Sequence, residues 1–157
     1  MNFVILLVAA LIPLAVGFIW YNPKVLGNAW MAASGMTDEK IKGSNMAAIF
    51  GLSFLFAILL SFAMHPMVIH QMGVYSIFEG DVTNLDYSSF MEKYGESFRT
   101  FKHGVFHGVI GGFALALPIL GTNALFERKG FKYIAINAGY WIVSMALMGG
   151  VICQFSK

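Results

Sequence analysis

Charged residues are absent from four long apolar stretches of this sequence, which cover residues 2–23, 43–78, 104–126 and 133–156. Each stretch reaches the roughly 20 residues that an α-helix needs to cross a hydrocarbon layer of about 30 Å. Runs such as VILLVAALI lack the alternation of a strand, and backbone groups in lipid must be satisfied within helices or closed barrels. The pattern therefore predicts an all-α membrane protein, a bundle of four transmembrane helices at about 2–21, 45–70, 103–124 and 131–155.

The composition supports the same class and a single membrane domain over residues 1–157. Hydrophobic residues make up 58% of the chain and charged residues 11%, against about a quarter charged in an average soluble domain. The first apolar run has no preceding lysine or arginine and ends in WYNP, so we expect a retained helix instead of a cleaved signal peptide. The single cysteine excludes an internal disulfide, and a net charge of +2 gives no indication of nucleic-acid binding.

The loop between the second and third apolar stretches carries its own helical pattern. Ser89 followed by Glu92 resembles a capping box, and apolar side chains recur at helical spacing up to Phe101. This predicts an amphipathic surface helix at about 89–101 that continues into the third transmembrane helix. If the two form one helix, a polar ridge runs down its opposite side, through Glu92, Glu96, Arg99, His103 and His107.

Four blocks of the sequence resemble a family of small bacterial four-helix membrane proteins, catalogued as a domain of unknown function. The blocks are WYNPKVLGNAW, HGVFHGVIGG, LPILGTNALFERKG and YIAINAGYWIVSMALMGG. The resemblance covers nearly the whole chain. It implies a four-span protein of the bacterial cytoplasmic membrane, and it implies no activity, cofactor or catalytic residue.

The distribution of lysine and arginine predicts a topology. The first and third loops together carry six of these residues, and the opposite side carries four. Because positively charged loops remain in the cytoplasm, this small excess places the first and third loops inside the cell and both termini in the periplasm.

Small residues form a stripe along the third apolar stretch, at Gly104, Gly108, Gly112 and Ala116. Such spacing allows close approach of helices, and in lipid this packing drives helix association. We expect the stripe to pack within the four-helix bundle. Association with a second copy, as a homodimer or larger oligomer, is the alternative.

All four histidines fall on the side of the second loop, which suggests a ligand or proton site there. The candidate residues are His65, His103, His107, Glu96 and Gln154. His103 and His107 share one helical face because residues four apart are neighbours, and three imidazoles suit zinc, copper or iron(II). We therefore expect His65 and His107 to approach each other across the second and third helices, with His65, His103 and His107 as the hypothetical metal ligands. His70 lies beyond Pro66, where the helix is expected to have ended.

A second polar set is predicted at the opposite membrane face, at Asn22, Asn123, Glu127, Asn137 and Tyr140. Amides in membrane helices usually bridge neighbouring helices, and a small-molecule or lipid-headgroup site is the functional alternative.

No catalytic triad order, phosphate loop or paired intramembrane carboxylates occur in the sequence, so the pattern favours a non-enzymatic protein. The leading hypothesis is a small carrier, a channel-like oligomer or an accessory subunit that binds a partner membrane protein or ligand through its third helix. Under this hypothesis the protein contacts membrane lipids and needs no cofactor. The alternative hypothesis is a membrane protein that binds a divalent metal or haem through its histidines.

Overall fold

The computed structural model describes residues 2–156 and contains no strand within that range. Its helices, in chain order, are α1 Phe3–Trp20, α2 Gly27–Ser34, α3 Asp38–Lys42, α4 Met46–Val68, α5 Gln71–Ile77, α6 Leu85–Tyr94, α7 Phe101–Gly111, α8 Leu117–Phe126 and α9 Phe131–Phe155. A five-residue π-helical segment, Gly112–Ala116, joins α7 to α8.

Four helical segments have the length and apolar composition to cross a membrane. They are Phe3–Trp20, Met46–Val68, Phe101–Phe126 and Phe131–Phe155. The all-α fold and the four spans predicted from the uncharged stretches are therefore confirmed.

The last helix, α9, is the centre of the bundle. In the most apolar 18-residue stretch of α9, 56% of the residues are buried, against 11–22% in the corresponding stretches of the other three spans. Helices α1, α4 and α7 all contact α9, and the common core includes Leu6, Met64, Met148 and Ile152. The outer faces expose large apolar side chains such as Phe56 and Phe113, which is the surface expected of helices that face lipid.

The glycine stripe of the third span packs against α9 of the same chain. A methyl group at Gly104 would collide with the Gly149 carbonyl, and one at Gly108 would lie 2.6 Å from Cα of Ala146. At Gly112 the nearest atom would be Cα of Ile142, at 2.7 Å. The stripe therefore brings α7 and α9 into backbone contact.

The surface helix differs from its predicted range of 89–101. It begins at Leu85, because the side chain of Asn84 accepts hydrogen bonds from the backbone of Asp86 and Tyr87. It ends at Tyr94, and Phe98 then adopts a left-handed backbone conformation, with φ of 63°. Thr100 starts a new helix by capping α7. The predicted continuous ridge from Glu92 to His107 was therefore wrong, because the helix is interrupted between residues 95 and 100.

Candidate functional site

Three histidines meet at the end of the bundle that carries the second loop. The Nε2 atoms of His70 and His103 lie 2.8 Å apart. His107 completes the group, and one nitrogen from each of the three rings lies within 4.8 Å of the others. The ring centroids are 4.5–4.9 Å apart and the rings meet edge to face. Three nitrogen donors therefore converge from two separate parts of the chain.

The turn after α4 brings His70 into this group. Helix α4 contains Pro66 and ends at Val68, and Ile69 then takes an extended conformation with φ of −111° and ψ of 92°. The backbone N–H of Ile69 still donates to the His65 carbonyl, at 3.0 Å. Helix α5 then begins at Gln71, so His70 lies at the junction of the two helices.

The start of α7 is held firmly, so the other two histidines have a defined position. The Thr100 hydroxyl oxygen accepts a hydrogen bond from the backbone N–H of His103. The side-chain oxygen of Gln154, at the end of α9, accepts from the backbone N–H of Phe101 at 2.9 Å. Because the glycine face of α7 rests on α9, the adjacent histidine face points toward the α4–α5 junction.

Phe98 partly covers the histidines. Its ring centroid lies 5.2 Å from that of His103 and 6.1 Å from that of His70. A positive φ is unusual for a bulky residue and is maintained only by surrounding structure. Here the Cys153 thiol donates to the Phe98 carbonyl, at 3.3 Å. The end of α9 therefore helps to hold this aromatic side chain over the site.

A cavity of about 540 Å³ adjoins the cluster on the side of His70 and Phe98. Its other walls come mainly from α5 and α6, and they include Val74, Phe90 and Tyr94. A molecule bound to the histidines would therefore have an apolar space next to it.

One pair of these nitrogens has a spacing near that of two ligands of the same metal ion. Zinc–nitrogen bonds of about 2.0–2.1 Å in a tetrahedron separate the ligand nitrogens by roughly 3.3 Å. The observed pair at 2.8 Å is slightly closer than this, and the 4.8 Å limit for the whole group is wider. A metal site would form if side-chain rotations brought all three atoms to one centre, and it would then have a fourth coordination position for water or a ligand.

Not every residue predicted for this site belongs to the group. Among residues 2–156 the group consists of His70, His103 and His107, so His65 and Glu96 lie outside it. His65 is 3% exposed and lines a different cavity, which it shares with Arg99 and Ser156. The side-chain oxygen of Gln154 accepts a hydrogen bond from the backbone N–H of Phe101, at the start of α7. The sequence analysis missed His70 as a member because its position depends on the turn after Val68, for which Pro66 was the only local sign.

The polar set at the opposite end of the bundle connects helices. The Tyr21 hydroxyl donates to the side-chain oxygen of Asn137, at 3.0 Å, and the Tyr140 hydroxyl donates to the Pro13 carbonyl, at 2.9 Å. Burial, with the nearby Tyr140 and Tyr133 hydroxyls, raises the pKa of Tyr21 above its ordinary value of 10.0. Asn22 accepts from the backbone of Lys24. Asn123 and Glu127 are exposed at the end of α8.

Four helices of membrane-spanning length and composition define the class of this chain, a multi-pass helical membrane protein. It belongs to the family described as Protein of unknown function (DUF1761), whose model matches residues 4–153. No curated protein and no solved structure matches the chain. The family match confirms the resemblance inferred from the sequence.

Proposed function

We propose that this chain binds a divalent transition-metal ion through His70, His103 and His107. The observation that carries the proposal is the 2.8 Å approach of the His70 and His103 Nε2 atoms, with His107 alongside. A hydrogen bond between two neutral imidazoles directs a lone pair of one ring at the N–H of the other. A metal ion can replace that shared proton, because the neutral nitrogens then both act as ligands.

The donor set indicates the class of ion. Imidazole nitrogens suit zinc, copper, nickel and iron, whereas magnesium and calcium prefer oxygen ligands. Three protein ligands with one open position are typical of zinc sites that bind a further molecule. Haem fits less well than an ion, because rings packed at 4.5–4.9 Å leave no slot for a macrocycle between any two of them.

We further propose that the protein resides in the bacterial cytoplasmic membrane with both termini in the periplasm. The support is the excess of lysine and arginine in the first and third loops. The histidine cluster would then face the periplasm and exchange metal with that compartment.

The narrower roles predicted from the sequence remain proposals: a small carrier, a channel-like oligomer or an accessory subunit. The first of these is compatible with metal binding through the third helix, because His103 and His107 both belong to α7. A contact with a second copy or a partner protein would use the outward side of that helix. Phe106 and Phe113, which are 60% and 56% exposed, lie on it.

Metal titration of the purified full-length protein tests the proposal. After treatment with chelator and its removal, we expect calorimetry to show one zinc ion bound per chain and no response to magnesium. The matched control replaces all three histidines of the cluster with alanine, and it should bind no zinc while keeping its elution volume in detergent. Equal zinc binding by the wild type and the triple variant would disprove the proposal.

A further inference from the structure

A second cavity, of about 460 Å³, lies at the same end of the bundle but is separate from the histidine cluster. Its lining includes the polar side chains of His65, Gln71, Arg99 and Ser156, together with Tyr75 and Tyr87. Part of its wall is apolar and includes Ile69 and Met72. It lies beside the end of the second span and the end of the fourth, so it borders the membrane surface.

Three buried polar atoms around this cavity have no hydrogen-bond partner among the described residues. They are Nδ1 of His65, Oε1 of Gln71 and Oγ of Ser156. The three side chains are 3%, 8% and 6% exposed. Buried polar atoms are nearly always paired, because leaving one unpaired costs its lost hydration. Three such atoms around one cavity are therefore groups with which a bound molecule could pair.

The chemistry of these atoms restricts that molecule. The amide nitrogen of Gln71 donates to the carbonyls of Tyr94 and Ser97, at 3.0 and 2.9 Å. Because carbonyls only accept, the amide is oriented with its oxygen left over as an acceptor. That oxygen needs a hydroxyl or an amine from the ligand.

Arg99 supplies positive charge to the same cavity. Its guanidinium donates to the carbonyls of Cys153 and Ser156 at the end of α9. A guanidinium carries a positive charge and five N–H groups, more than these two contacts use. A planar guanidinium recognises phosphate and carboxylate groups.

We propose that this cavity binds a hydroxylated phosphate group of the glycerol phosphate type. Arg99 contacts the phosphate, and Gln71 accepts a hydrogen bond from a ligand hydroxyl. Ser156 and His65 pair with the remaining oxygen atoms after rotation about their side-chain bonds. The same chemistry occurs in the headgroup of phosphatidylglycerol and in free glycerol phosphate.

Ser156→Ala is the sharpest variant with which to test this site. The Ser156 hydroxyl has no hydrogen-bond partner within residues 2–156, so its removal breaks no hydrogen bond in that part of the chain. Ser144→Ala is the matched control, because Ser144 is a buried serine within α9 and does not line the cavity. Arg99→Gln with Lys102→Gln forms a second pair, since each removes one positive charge from the same side of the protein.

The probes are short-chain phosphatidylglycerol, short-chain phosphatidylcholine and free glycerol phosphate, added to delipidated full-length protein in detergent with chelator present. Calorimetry should show saturable binding of phosphatidylglycerol and none of phosphatidylcholine, which lacks the hydroxyls. We expect Ser156→Ala to weaken binding about fivefold and Arg99→Gln by more, while both controls bind like the wild type.

The two possible sources of the ligand give different results. Binding of phosphatidylglycerol alone indicates a lipid headgroup, and binding of free glycerol phosphate as well indicates a soluble ligand. The inference is overturned if neither probe binds, if phosphatidylcholine binds equally well, or if Ser156→Ala and Arg99→Gln both match the wild type. The histidine triple variant should still bind phosphatidylglycerol, so the outcome is independent of the metal proposal.

Discussion

His70 and His103 bring their Nε2 atoms within 2.8 Å of each other although 33 residues separate them in the sequence. His70 belongs to the turn between α4 and α5, whereas His103 lies in the first turn of α7. Their contact joins the end of the second span to the start of the third, on the face of α7 adjacent to its glycine contact with α9.

Single histidine substitutions should distinguish the structural cluster from the set predicted by sequence. We expect His70→Ala to weaken zinc binding by more than the roughly 10–100-fold typical of losing an outer-shell hydrogen bond. His65→Asn, the matched control, should keep the wild-type affinity, because His65 lies outside the cluster. Calorimetric titration of both variants measures this. A larger loss of zinc affinity in His65→Asn than in His70→Ala would instead favour His65, His103 and His107 as the metal ligands.

Gly108→Ala should destabilise the bundle. The added methyl group would lie 2.6 Å from Cα of Ala146, so α7 and α9 must move apart. Such overpacking typically costs about 1–3 kcal/mol. Gly51→Ala is the control, because Gly51 is exposed on α4 and no atom lies within 4 Å of its added methyl group. Thermal unfolding in detergent should show a lower midpoint for Gly108→Ala alone, and equal midpoints would contradict the observed contact.

The hydrogen bond between Tyr21 and Asn137 should contribute measurably to stability. Tyr21→Phe removes it, at a cost of about 1 kcal/mol. Tyr133→Phe is the control, since the contact of the Tyr133 ring with the Lys129 ammonium does not involve the hydroxyl. Thermal unfolding at neutral pH compares the two variants, and a larger effect of Tyr133→Phe would refute this assignment.

The same tyrosine predicts a dependence on alkaline pH. The folded-state pKa of Tyr21 is raised above its ordinary value of 10.0, so unfolding favours ionisation of the hydroxyl once the pH exceeds that value. Its contribution to stability is fully present below pH 10.0 and is lost as the pH rises further. The stability difference between the wild type and Tyr21→Phe should therefore shrink above that pH. If the stability advantage of the wild type over Tyr21→Phe grew above pH 10.0, the predicted direction of the pKa shift would be wrong.

Reporter fusions test the proposed topology. A reporter that is active only in the periplasm should be active when fused after Lys157 and silent when fused at Gly130. The physical reason is the excess of positive charge in the first and third loops. The opposite pattern would place the histidine cluster in the cytoplasm.

The four spans and their helical character could be predicted from the sequence by itself. Whether a segment enters a membrane depends on its own length and on its own lack of charge, and both are local properties of the chain. The close packing face of α7 was also visible, because glycine every fourth residue aligns on one side of a helix. These features need no knowledge of what lies next to the helix.

The tertiary structure alone decided which histidine joins His103 and His107. The turn at Ile69 directs His70 toward α7, while His65, which is still helical, faces a different cavity. The interruption at Phe98 likewise depends on contacts with the end of α9, and helical periodicity in residues 89–101 gave no sign of it. Long-range packing sets how each helix is rotated and where it stops, because those choices depend on partners that are distant in sequence.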